Sequence, residues 1–145
     1  MKVLLDTSVL VPALVPTLPQ HEKAAPHLEA ALSKRIDLVV SARALAECYA
    51  SLTALPTSPS VTPGQARRLI EENITQRANE VVALAGTDYT EALQRMADRG
   101  LTSGAVYDML HVICDEKAEA DELRTFNGQD VRRMPPSGST ELVVL

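Results

Sequence analysis

Short apolar runs recur along this chain with helical stretches between them, and that alternation admits few folds. Val3–Leu5, Ile36–Val40, Glu80–Leu84, Leu123–Phe126 and Leu142–Leu145 read as strands. Ser41 is a natural cap for a helix over Ala42–Leu55, and Thr62-Pro63 opens another to about Ile74. Thr7 or Ser8 is expected to cap a short helix to about Leu14, and a helix kinked or started by Pro26 is expected from Gln20 to Lys34. Thr87 is expected to cap an amphipathic helix ending at Gly100, and Ser103 to start one reaching Ala118. Strands alternating with helices pair in parallel, with helices covering both faces. The expectation is an α/β domain with a central parallel sheet flanked by helices, occupying residues 1–145 as a single unit.

At 145 residues the chain is long enough to bury a core without disulfides or metal staples. Aromatic residues make up only 3% of it, so Leu, Val, Ile and Ala must form that core. Cys48 and Cys114 lie in apolar helical stretches and read as buried thiols. No apolar run approaches the roughly 18 residues of a membrane span. The N-terminal apolar run meets Asp6, too early for a signal peptide, so a cytoplasmic, reducing setting is expected. The net charge of −5 is not the basic footprint of most nucleic-acid binders. Carboxylates gathered at a metal would account for it.

In an open parallel sheet, ligands bind beyond the carboxyl ends of the strands, and Asp6 stands directly after the first of them. Glu47 lies in an apolar helix between Ala46 and Cys48, where a carboxylate needs compensation; Arg43, one turn earlier, is one candidate partner. Asp108 opens a late helix, with His111 three residues on and in reach of it, and Asp115 on the same face. Glu119, Asp121 and Glu122 read as a solvated run. Each acid alone is better explained by a structural role such as a helix dipole or a surface pair. Together, Asp6, Glu47 and Asp108 can converge at one sheet edge. Clustered carboxylates repel unless a cation neutralises them, and oxygen-only donors suit Mg²⁺ or Mn²⁺. Such ions lower the pKa of an attacking water and stabilise charge on a phosphodiester.

Val3-Leu4-Leu5-Asp6-Thr7-Ser8-Val9-Leu10 resembles the opening of PIN-domain proteins, especially VapC-type toxins. Glu47 falls where that family has its second acid. Tyr107-Asp108-Met109-Leu110 resembles its third motif, and Thr125-Phe126-Asn127-Gly128-Gln129-Asp130 its last. The resemblance implies a PIN-like metal-dependent endoribonuclease, the toxin of a type II toxin–antitoxin pair. Its expected partners are an RNA substrate, a cognate antitoxin and a second copy of the chain. Carried over by position, Asp6, Glu47 and Asp108 are catalytic metal ligands, with Thr7, Ser8 and Thr125 in support. The family's fourth acid is commonly Asp, whereas the matching residue here is Asn127, which the resemblance carries over as a metal ligand through its oxygen or a held water, with one less charge; Asp130 is the compensating candidate ligand.

Two other readings compete. One is a PIN-like module that has lost catalysis and binds RNA or protein. The other is a phosphatase or phosphoacceptor receiver, but the former needs a second Asp two residues after Asp6, where this chain has Ser8.

Overall fold

A computed structural model describes all 145 residues. Five parallel strands form one sheet: β1 (Lys2–Leu5), β2 (Asp37–Ser41), β3 (Glu80–Val82), β4 (Glu122–Thr125) and β5 (Glu141–Val144). Their order is β3-β2-β1-β4-β5, so β1 is central. Between them run α1 (Thr7–Leu14), α2 (His21–Leu32), α3 (Ala42–Ala54), α4 (Pro63–Ile70), α5 (Gly86–Asp98), α6 (Ala105–Ala118) and the single turn α7 (Gly128–Val131).

Alternate residues of a strand face opposite sides of a sheet, and here both sides are buried. Val3, Leu5, Leu38 and Val40 pack into one core with residues of α1, α2, α3 and α4. Leu4, Val39, Val82 and Leu123 pack into the other, with Ala92 and Met96 of α5 and Met109 and Ile113 of α6. Arg95 ties α5 to α6 through both carboxylate oxygens of Glu116, at 3.0 and 2.8 Å. No helix is long and apolar enough to cross a membrane.

Two expected caps are present. Ser41 Oγ accepts from Ala44 N at 3.1 Å. Thr62 and Gln65 exchange side-chain and backbone hydrogen bonds at 2.9 and 3.2 Å, with Pro63 as the first helical residue. Other boundaries differ from expectation. Asp6, not Thr7 or Ser8, is the residue before α1. The cap of α5 is not Thr87: Asp88 reaches back to accept from Ala85 N at 2.7 Å, and the helix starts at Gly86. Ser103 takes a left-handed conformation (φ 55°), so α6 begins only at Ala105. Pro26 lies inside α2 rather than at its start. The helix after Thr62 reaches its predicted end by widening into a π-helical turn over Glu71–Thr75. Glu122 is no part of a solvated run; it sits in β4 and pairs with Arg124 at 2.7 Å.

Close approach sets one backbone position. A Cβ on Gly128 would overlap Val144 Cγ1, so only glycine lets α7 lie against β5.

Candidate active site

The central position of β1 puts its carboxyl end beside those of β2 and β4, and the polar residues expected to do chemistry meet there. Asp6 is 3% exposed. Ser8 Oγ donates to its Oδ1 at 2.5 Å, and Phe126 N donates to the same hydroxyl oxygen at 2.9 Å. The Ser8 and Thr125 hydroxyls lie 3.3 Å apart, and the Thr125 hydroxyl also favours the charged form of Asp6. Thr125 Oγ1 accepts in turn from Asn127 N at 2.8 Å. The start of α1 and the end of β4 are thus laced together around Asp6. Ser8→Ala removes both the donor to Asp6 and the acceptor for Phe126 N. It should cost about 1–3 kcal/mol of stability, read from urea denaturation. An unchanged midpoint would mean water replaces the hydroxyl at no cost.

Glu47 projects from α3. Thr7 Oγ1 donates to its Oε2 at 2.9 Å, and His111 Nε2 lies 3.6 Å from the same oxygen, an ion-pair rather than a hydrogen-bond distance. Arg43 Nε is 3.0 Å from Oε1, but the two are poorly aligned, and buried Oε1 is left without a hydrogen bond. Asp108, in the first turn of α6, accepts from Asn127 Nδ2 at 3.3 Å. His111 therefore faces Glu47 rather than Asp108, the partner expected from its spacing along the helix.

Burial pushes the Asp6 carboxyl above its usual range, opposed by the charge of His111 and the Ser8 hydroxyl. Asp108 is raised too, by burial and by the negative charges of Asp6 and Asp130, against the Asn127 bond and His111. Burial also disfavours charge on Glu47, but His111, Thr7 and Arg43 together outweigh it and hold that carboxyl low. His111 is 4% exposed. Burial alone would keep it neutral, yet the pull of Glu47, Asp6 and Asp108 raises its pKa. Three carboxylates from three separate elements thus share one electrostatic neighbourhood, and His111 is the buried imidazole on which all three act.

As placed, the His, Cys, Asp and Glu side chains form no group of three ready to hold a metal ion. Glu47 is engaged by Thr7, Arg43 and His111, and Asn127 engages Asp108. The expected five-member ligand set is therefore not pre-assembled. Asp130 is the clearest departure: its side chain is 45% exposed and is taken up by Arg133 at 2.7 Å. The chemistry of the set still fits a hard divalent cation. Asp6, Glu47 and Asp108 offer only oxygen, Glu47 Oε1 is buried with an ion-pair neighbour but no hydrogen bond, and Asp108 carries the repulsion of Asp6 that such a charge relieves. Asp115, considered with Asp108 because it shares a helix face, is completely buried two turns away and is not one of the groups acting on Asp6, Glu47 or Asp108.

Arg43 has a second role that spacing along α3 did not signal. Its guanidinium carbon lies 4.3 Å from the centroid of the Tyr107 ring, next to Asp108.

Comparison with known proteins bears on the fold and the family. Residues 3–135 match the PIN domain family. The chain is 35% identical over 120 residues to Ribonuclease VapC27 of Mycobacterium tuberculosis, covering 80% of this chain and 78% of that one. The solved structure of VapBC2 from Rickettsia felis, bound to a DNA fragment from its promoter, superposes with a TM-score of 0.68 at 20% identity, over 100% of this chain and 99% of that one. Mycobacterium tuberculosis VapC20, described as a Sarcin-Ricin loop cleaving toxin, gives 0.67 at 13% identity, over 91% and 95%. The two structures speak for the fold. The family match and the VapC27 relationship go further: this chain belongs to the PIN domain family.

Proposed function

We propose that this protein is an Mg²⁺- or Mn²⁺-dependent endoribonuclease, one nuclease domain over residues 1–145, acting as the toxin of a type II toxin–antitoxin pair. The observation that carries this reading is the meeting of Asp6, Glu47 and Asp108 around His111 at the carboxyl edge of the sheet, in a chain 35% identical to a VapC ribonuclease. Asp6, Glu47 and Asp108 are the residues that would hold the ion. When bound, it supplies positive charge to the scissile phosphate and makes an attacking water more acidic. The chain's own part is positioning: Ser8 and Thr125 fix Asp6 against β4, Thr7 fixes Glu47, and Asn127 fixes Asp108. Asn127 brings no charge, so the fourth acidic position contributes orientation rather than neutralisation.

A cognate antitoxin that covers this edge belongs to the same reading, as does a second copy of the chain. A cytoplasmic setting suits the two free cysteines. Both are buried, which pushes Cys48 up to about 12 and Cys114 up to about 11, so neither is a ready thiolate.

The test is cleavage of structured and single-stranded RNA by the purified protein with Mg²⁺ or Mn²⁺, against the same reactions in EDTA. Cutting that requires the metal is expected. Cutting that EDTA leaves untouched would remove the metal from the account. Binding of metal and RNA with no cleavage under any condition would instead support the non-catalytic reading that Asn127 suggests.

A further inference from the structure

A cleft of about 260 Å³ opens where α3, α5 and α6 meet the ends of β2 and β3, one side chain away from Glu47. Its walls include Ala46, Val82, Leu84, Tyr89 and Leu110, and Arg43 stands at its rim. We propose that this cleft is a nucleobase subsite, holding one base of the RNA strand beside the scissile phosphate; the inference rests on the nuclease reading above.

Three observations choose a base over other occupants. The first is continuity: Arg43 both lines the cleft and contacts Glu47 at 3.0 Å, so a strand crossing the acidic edge passes this opening. The second is the distribution of flat side chains. The sequence has only three tyrosines and no tryptophan. Two of the tyrosines flank Arg43: Tyr89 lines the cleft at 42% exposure, and Tyr107 lies under the guanidinium at 49% exposure. Exposed rings and a planar guanidinium are the surfaces on which unpaired bases stack. The third is size and character. The lining is mostly apolar, with Arg43 as its one charged residue, and the volume falls just below the roughly 300 Å³ at which clefts for drug-sized ligands begin. That suits one planar ring with its phosphate left outside, near Arg43.

The test is equilibrium binding of a fluorescent eight-nucleotide 2′-O-methyl oligoadenylate, against the same backbone carrying abasic sugars, at one fixed salt concentration in Ca²⁺. Gel analysis afterwards confirms that the oligomers are intact. Wild type should prefer the base-bearing oligomer about tenfold. Ala46→Leu fills the cleft from an exposed helix position, and Tyr89→Ala removes its ring. Each should bring the preference to about twofold or less while leaving abasic affinity unchanged. Arg43→Gln should weaken both oligomers. A preference that survives Ala46→Leu and Tyr89→Ala, or that wild type lacks, overturns the subsite. If wild type still cuts RNA, that result leaves the nuclease reading standing; if it neither cuts RNA nor binds either oligomer, both fail. If Ala46→Leu changes self-association in sedimentation but not the base preference, the cleft belongs to a second copy and the proposal falls.

Discussion

Asp6→Asn is expected to lower metal-dependent RNA cleavage by about a thousandfold, equivalent to about 4 kcal/mol of transition-state stabilisation. The side chain keeps its shape and can still accept from Ser8, but it loses the charge that a divalent cation needs. Stability should move the other way. Burial raises the Asp6 carboxyl above its ordinary pKa, so charge at this position costs the native state stability, and a neutral amide relieves that cost. A lost rate with an unchanged or higher melting temperature is therefore the expected pair of results. A lost rate with a collapsed melting temperature would point to a structural role for Asp6. Asp108→Asn should act in the same direction with a smaller gain in stability, since Asp108 is only half buried.

The second large effect is expected away from the site. Asp115 is completely buried in α6, and neither carboxylate oxygen has a hydrogen-bond partner. Burial pushes its pKa from an ordinary 3.8 up to about 7. The nearby Thr140 hydroxyl opposes this only in part, and gives its own proton to Ala120 O at 2.8 Å. In the window between about 4 and 7, the folded chain binds more protons at Asp115 than the unfolded chain does. Stability contributed at this position is therefore full below that window, falls as pH rises through it and levels off above about 7. The fall corresponds to on the order of 4 kcal/mol between the two ends. Asp115→Asn should be nearly as stable as wild type at pH 4.5. At pH 8 it should be more stable by roughly 2–4 kcal/mol, in urea titrations of both proteins. Parallel pH dependence in the two would show that the carboxylate is solvated or paired in solution.

How much of this was legible in the sequence depends on the range of the forces involved. The strands showed as apolar runs because a parallel sheet buries both faces, and Val3-Leu4-Leu5 feeds one core with its odd positions and the other with Leu4. The caps at Ser41 and Thr62 were readable because each is closed by a residue three positions on. Thr87 misled because Asp88 can reach back to Ala85, and a hydroxyl in the right composition is not a cap unless the backbone turns there. The third strand stops at Val82, short of Leu84, at the exposed edge of the sheet where Leu84 is free to line the cleft.

The acids at 6, 47 and 108 could be singled out one by one. Their meeting required strand order, since β1 becomes central only when β4 adds to its far side. For the same reason helical spacing puts His111 only within reach of Asp108, while its partner in the structure is Glu47, on a different helix. The Arg43–Tyr107 stack likewise joins α3 to α6, and no local pattern announces it. Asp115 could be seen as lying on the same face as Asp108. Its complete burial could not be seen, because Ser137 and Thr140 reach that end of α6 from much later in the chain.

The measurement that bears most directly on the acidic site is a Mn²⁺ titration of wild type and Asp6→Asn, with RNA cleavage rate recorded at each metal concentration. Saturable binding by wild type with the rate rising in step, and loss of both in Asp6→Asn, is the predicted result. Equal metal binding and equal cleavage by the two proteins would contradict it, and would place the catalytic centre elsewhere in the molecule.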